Sequence, residues 1–482
     1  MTRNSRSLFI AVAMVSVSLA AQDAKTVLQS AAQAMGDVKS IQYSASGHLY
    51  ALGQAYSPTS AWPQNNITSY TRTIDYGSRS SKEELTQVEP NPPRLGGAAP
   101  FAGEQKQINL VSGQYAWNQV GNASQPAVAA AEERQLQIWL TPHGFLHAAM
   151  ENNATVKKGG GGTIVSFTVG KFKINGTIDR QNLVSRTETW IPNPVLGDML
   201  VETTYSDYKD FKGVKFPAMI VQKQGRYPVL DLAVMSVQPN VRLDLPVPDA
   251  AKTTALPPVK VTTQKIGDGV WFLAGGSHNS VLVEYPTYLA MIEAPLDEAR
   301  SLAVISEARK LAPNKPIKYL INTHHHFDHS GGVRTYVAEG ATIITNEINK
   351  GYYAQVWKSP HMLEPDRLAQ NSKKPAFITI KDKYTLADGE RSLEIYHLEG
   401  DTHNSGIMMV YMPKEKILVE ADDFSWPAGT RAGPRYRANN VNLYRNIQQL
   451  KLDVKTIAPL HGEPVSLSEL QKAATHHSRR LF

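Results

Sequence analysis

The sequence predicts two parts: a mostly antiparallel β domain, then a layered α/β domain with two sheets covered by helices on the outside. Three observations lead there. From Ile41 to about residue 240, apolar–polar alternation is punctuated by Gly, Asn, Asp and Pro. From Val259 onward, short apolar runs alternate with helical patterns. Between them, residues 243–258 hold four prolines among small and charged residues, the composition of a linker. The 482-residue length suits at least two domains. The boundaries read as residues 1–21, 22–242, 243–258 and 259–482.

Residues 1–21 read as a secretory signal peptide. Arg3 and Arg6 precede the apolar run Leu8 to Ala21, and Ser18-Leu19-Ala20 offers a small-residue cleavage site. No later run approaches the roughly 18 apolar residues of a spanning helix. The mature chain is therefore expected to have no transmembrane segment and to be periplasmic or secreted. The chain has no Cys, which removes disulfides, a lipid anchor, a thiolate ligand and a Cys nucleophile. A net charge of +7 is modest for this length, and no basic tract marks a nucleic-acid binder.

A helix is expected from Lys25 to Met35. Strands are expected at Ser69 to Tyr76, Gln107 to Val111, Thr163 to Val169, Lys171 to Ile174, Leu183 to Ile191, Val201 to Tyr208, Phe216 to Gln222 and Leu230 to Val237. Asn175-Gly176 and Lys212-Gly213 read as turns. His48, His143 and His147 are scattered and read as structural. The run Thr204 to Tyr208, followed by Gly213 to Pro217, weakly resembles the curved half-barrel of periplasmic lipoprotein-carrier proteins. That resemblance implies a concave apolar surface, an apolar ligand or protein partner, and no catalysis.

In the second part, strands are expected at Val270 to Leu273, Ser280 to Glu284 and Tyr288 to Ile292. Asp297 caps a helix running through Lys310. The apolar Tyr319-Leu320-Ile321 then leads into Thr323-His324-His325-His326-Phe327-Asp328-His329. Four metal-ligand types in the spacing H-x-H-x-D-H at a strand end have no packing explanation, and imidazole with carboxylate suits zinc. Ser330-Gly331-Gly332 should turn the chain into a helix near Val333. Strands follow at Ala341 to Thr345, Leu393 to Leu398, Ile407 to Met412, Ile417 to Ala421 and Ile457 to Pro459. His403, Asp422 and His461 each lie beside one of the last strands.

The seven residues assemble into a two-metal site. His324, His326 and His403 take one ion, Asp328, His329 and His461 the other, and Asp422 bridges, with Asp423 one residue away as the alternative. The open position suits a bridging hydroxide, which Asp328 can orient as the catalytic carboxylate. In order and spacing, these residues resemble the ligands of the metallo-β-lactamase-fold hydrolases, over about residues 259 to 470. The resemblance implies an αββα sandwich and two zinc ions per chain, with iron or manganese in some branches. Asp422 stands where Cys-containing metallo-β-lactamases have their thiolate, which is closer to glyoxalase II and lactonases. The expected activity is hydrolysis of a carbonyl ester, thioester, lactone or lactam in a small-molecule substrate. The competing readings are an iron-dependent persulfide-type oxygenase and a non-catalytic ligand-binding protein.

Tyr352, Tyr353 and Asn404 are candidate donors to a carbonyl oxygen. Glu293 is a candidate support for a ligand. His361 is a candidate substrate contact, with specificity placed in residues 346–375 and 274–280. His325 is expected to face solvent or support the ligands, His397 to pack, and His278, His476 and His477 to lie outside the metal site.

Overall fold

In the computed structural model, the structure describes residues 23–98, 100–426 and 434–475. The signal-peptide reading and His476 and His477 lie outside them. A helix over residues 23–35 packs Leu28, Ala31 and Met35 into the core of a 13-stranded sheet. That sheet is antiparallel at every described junction. Successive strands add outward from Ser40–Tyr50 to the edge strand Ala123–Pro126. The helices Ala131–Trp139 and Pro142–Glu151 then cross back, and the chain re-enters at the opposite edge, Thr155–Gly159. It closes with Tyr227–Pro239 beside the first strand. Phe145, Leu146 and Trp139 from the two helices join Tyr43, Ile174 and Phe216 in one core.

The expected strands all form, most of them longer than the alternation suggested. Lys212-Gly213 is a tight turn, with both residues at positive φ (59° and 84°) between Gly197–Phe211 and Val214–Gln224. Asn175-Gly176 is not a turn but the middle of Phe172–Ile178. A Cβ on Gly176 would lie 2.2 Å from the Phe145 ring, so the glycine makes room for the helix. A cavity of about 390 Å³ lies between the sheet and the helix Ala131–Trp139. Its wall mixes Arg72, Glu83, Arg134 and Gln222 with Leu85 and Val229. His143 and His147 bond to the carbonyls of Met35 and Val38, as structural residues do.

The prolyl stretch is not free along its length. Leu245, Val247 and Ala251 pack on Leu110 and Trp117 of the β domain, and Asp249–Thr253 forms one helical turn.

The second part has two facing sheets. The first runs Thr262–Gly267, Val270–Ala274, Ser280–Glu284, Leu289–Ile292, Ile317–Ile321, Thr342–Asn346 and Ala376–Ile380, antiparallel for three junctions and parallel for three. The second runs Lys383–Asp388, Arg391–His397, Met408–Met412, Ile417–Glu420, Thr456–Pro459 and Val465–Ser466. Ile292, Ile321 and Ile344 of the first sheet meet Val410, Val419 and Ile457 of the second in a shared core. The helix Glu298–Leu311, capped by Asp297 as expected, and the helix Val333–Glu339 cover the outer face of the first sheet through Val304, Ile305, Val337 and Tyr336. The helices Pro434–Gln449 and Leu467–Thr475 contribute Leu443, Ile447 and Leu470 to the core around the second sheet. The αββα layering is thus present.

Gly331 and Gly332 have ordinary φ angles of −60° and −96°. Space, not backbone conformation, demands them. A Cβ would lie 1.9 Å from the Leu296 carbonyl oxygen at Gly331 and 1.9 Å from Ser301 Oγ at Gly332. Replacing Gly176 with Ala is expected to cost about 1–3 kcal/mol by overpacking against Phe145. Urea unfolding that shows an unchanged midpoint would refute that packing role.

Candidate metal centre

Each candidate ligand follows a strand end, where loop backbone is free to aim side chains while the sheets fix their origins. His278 comes after Val270–Ala274, Glu293 after Leu289–Ile292 and the H-x-H-x-D-H segment after Ile317–Ile321. His403 follows Arg391–His397, Asp422 follows Ile417–Glu420, and His461 follows Thr456–Pro459. The loops are held by their own carboxylates. Asp401 Oδ1 accepts the backbone N–H groups of His403 and Asn404 at 2.6 and 2.9 Å. Glu420 Oε2 accepts those of Asp423 and Phe424, both at 3.1 Å.

All seven expected residues converge. His324, His326 and His403 form one compact group of potential ligands, and Asp328, His329, His461 and His278 a second. Asp422 lies between them. Its Oδ2 is 2.9 Å from His329 Nε2, 3.4 Å from His403 Nε2 and 3.5 Å from His324 Nε2, while Oδ1 is 3.2 Å from His461 Nε2. Asp423, the neighbouring alternative, is buried with neither carboxylate oxygen hydrogen-bonded.

His278 corrects the sequence reading. It sits in the second group, with Nε2 3.2 Å from Asp328 Oδ2 and its ring centroid 4.2 Å from that of His461. In sequence it is one imidazole in a small-residue loop, and nothing local ties it to the distant motif.

In each imidazole, one ring nitrogen is tied to protein and the other is turned inward. His324 Nδ1 meets Thr323 Oγ1 at 3.0 Å, and that hydroxyl donates to Glu293. His329 Nδ1 meets Glu293 Oε2 at 3.0 Å. His461 Nδ1 reaches Ser277 O at 3.2 Å and His278 Nδ1 reaches Ser277 Oγ at 2.7 Å. His403 Nδ1 meets Gly97 O and His326 Nε2 meets Ala55 O, each at 2.8 Å. Two of these anchors therefore come from the β domain. The inward Nδ1 of His326 is buried with no hydrogen-bond partner. Such an orphaned acceptor, beside converging imidazoles and carboxylates, fits a divalent ion.

Glu293 is the support that the sequence left open. It is fully buried, has a positive φ of 75°, and collects Asn322, Thr323 and His329. His325 is also buried. Its Nδ1 faces Asn404 Nδ2 at 3.1 Å, and its ring packs on Tyr352. Asn404 Nδ2 is thereby turned to His325, Tyr353 bonds to Asn322, and His397 bonds to Ser405 O, so these serve the framework. His361 packs beside Gly197 and Asp366, away from the metal groups. A cavity of about 390 Å³ between the domains is lined by Trp62, Tyr227, His325, Phe327 and Tyr352, and no residue of the two ligand groups lines it. The centre opens instead on the side of Asp328 and His461, whose side chains are 31% and 22% exposed.

Burial, reinforced by neighbouring imidazoles, holds His324 and His326 well below the ordinary histidine range. Burial also opposes charge on His329, but Asp422, Asp328 and Glu293 outweigh it and hold that ring well above the ordinary histidine range. Asp422 is in turn held ionised, its burial outweighed by His329 and His403.

The C-terminal part carries the metallo-β-lactamase fold, and residues 273–459 match the family described as the metallo-beta-lactamase superfamily. That fold implies divalent-metal binding. Two curated proteins are similar to this chain. A linear primary-alkylsulfatase from a Pseudomonas species is 23% identical over 220 residues, 38% of this chain and 41% of that protein. The alpha subunit of a 2,4-dinitroanisole O-demethylase from a Nocardioides species is 23% identical over 164 residues, 34% and 46% respectively. The chain thus spans less than half the length of these relatives. Among solved structures, a metallo-β-lactamase from Pontibacter korlensis is 20% identical, covering 46% of this chain and all of that one, with a TM-score of 0.36.

Two outcomes are expected. Glu293→Gln removes the carboxylate that fixes His329 and Thr323, and should weaken metal binding about 10- to 100-fold in chelator competition. The pH dependence follows from His329. Its pKa lies above the ordinary 6.5, so its ion pair with Asp422 stabilises the metal-free protein fully below that value. The contribution is lost as pH rises through the raised pKa. A metal must displace this proton, so its affinity should be weaker at pH 6 than at pH 8. Equal affinity at both values would contradict this.

Proposed function

We propose that this protein is an exported dinuclear zinc hydrolase that cleaves a carbonyl ester, thioester, lactone or lactam in a small molecule. The observation that carries the reading is the pair of adjacent ligand groups with Asp422 between them. Divalent ions held there would supply a water of lowered pKa and a Lewis acid for the bond to be cut. His324, His326 and His403 would hold one ion, Asp328, His329 and His461 the other, with His278 beside the second. Asp422 would face both.

The chain's own residues supply position and charge. Glu293 and Thr323 fix which nitrogens of His324 and His329 face inward. Asp328 is the catalytic carboxylate of this reading. It is held ionised because His329 and His278 outweigh its burial, and it lies on the open side where it can orient an attacking water. Partial exposure of Asp328 and His461 favours a catalytic centre over a structural one, since structural zinc sites are closed. The N/O ligand set also suits iron or manganese. Export rests on the pattern of residues 1–21, and the mass of the mature protein tests it.

Elemental analysis paired with a substrate panel tests the function. The panel holds an ester, a thioester, a lactone and a β-lactam, with a linear alkyl sulfate added because one curated relative is named an alkylsulfatase. Two zinc ions per chain and turnover of a carbonyl substrate are expected. Turnover of the sulfate alone would move the reaction to sulfate esters. One iron and no hydrolysis would favour the oxygenase reading. Asp328→Ala should abolish hydrolysis with the fold intact by circular dichroism, and retained turnover would remove its assigned role.

A further inference from the structure

The β domain reaches the metal centre through two short loops. In the first, Gly53 O accepts the N–H of Phe327 at 3.2 Å, Ala55 O faces His326 Nε2, and Tyr56 O accepts the N–H of Ser405 at 2.8 Å. In the second, the N–H of Gly96 donates to Thr402 O at 3.0 Å and Gly97 O faces His403 Nδ1. The loops are tied to each other, the N–H of Gly97 donating to Gln54 O at 2.8 Å. Between them, Gln54 Nε2 donates to Asp328 Oδ1 at 2.7 Å.

These contacts do specific work. A neutral imidazole offers a lone pair on one nitrogen only, and the hydrogen bond at the other nitrogen decides which. A carbonyl oxygen can only accept. Ala55 O therefore places the proton on His326 Nε2 and leaves Nδ1, the orphaned atom, as acceptor. Gly97 O places it on His403 Nδ1 and leaves Nε2 facing His324 and Asp422. Gln54 and His278 each hold one oxygen of Asp328, which limits rotation of its carboxylate. The approach is close enough to need glycine. Gly53 has φ 73°, and a Cβ there would lie 2.3 Å from the Phe327 ring, between His326 and Asp328 in sequence.

We infer that the β domain is an integral part of the metal centre: its 53–56 and 96–97 loops select the ligating nitrogens of His326 and His403, and Gln54 is a positioning residue for Asp328. Metal binding and the seating of these loops are then thermodynamically linked, each strengthening the other by the same factor. This rests on the metal-binding reading, and its test separates the two. Amide hydrogen exchange is followed on the full chain, with zinc alone added to the metal-free protein. Exchange should slow at 322–330 and 401–405, and also at 53–58 and 94–98, which contain no proposed ligand.

Protection confined to the α/β domain would overturn the linkage while leaving the metal centre standing. No protection anywhere would defeat the metal reading and this inference with it. Gln54→Leu adds a second readout. It should weaken one of the two metal-binding steps at least about 10-fold in chelator competition, with the thermal midpoint of the metal-free protein unchanged. Two binding steps equal to those of the parent would overturn the role of Gln54.

Discussion

The centre depends on pinning one ring nitrogen of each imidazole so that the other has a single task. Six rings stand close together, most of them buried. Left to rotate and exchange protons, they could turn either nitrogen toward the centre. Glu293, Thr323, Ser277 and the carbonyls of Ala55 and Gly97 prevent that. Each tie is a modest hydrogen bond, yet together they turn a cluster of imidazoles into a set of directed lone pairs.

Charge follows from that geometry. Asp328 and Asp422 bring negative charge into a recess walled by buried imidazoles, where ions without partners are costly. Asp422 and its neighbouring carboxylates raise His329 and His403 against the effect of burial, while burial and the adjacent imidazoles lower His324 and His326. A divalent ion would answer the same carboxylates with fixed coordination. With no cysteine in the chain, ligand softness cannot select that cation. Selection among borderline metals falls to geometry and supply.

Much of this was legible in the sequence because it was local. The H-x-H-x-D-H segment, the capping Asp297 and the alternation of the β strands depend on neighbours within a few residues. What was not legible depends on distance in the chain. His278 lies 46 or more residues from each of the seven expected ligands, and no spacing rule links it to Asp328. Asn175-Gly176 has the composition of a turn, but its glycine answers Phe145, thirty-one residues earlier. Gly331-Gly332 fits a flexible turn equally well, and only the position of Leu296 and Ser301 shows that the need is for space. The same local patterning made the β domain look detached from the chemistry. Gln54 and Gly97 are unremarkable residues until the fold sets them against Asp328 and His403.

The contribution of the β domain also bears on why the two parts stay in register. Domains joined by a prolyl stretch are expected to move unless a substantial interface holds them. Here apolar contacts, Trp62 on Phe327 and Val195 with Tyr353 and Val356, hold the face beside the ligand loop. Asp198 accepts the N–H groups of Met362 and Leu363 farther along. Phe327 stands within the ligand segment itself, so packing that fixes its ring also fixes the backbone carrying His326 and Asp328. The domain contact and the metal site therefore share a residue, and displacement of one domain by an ångström would be felt directly as misdirection of the ligands.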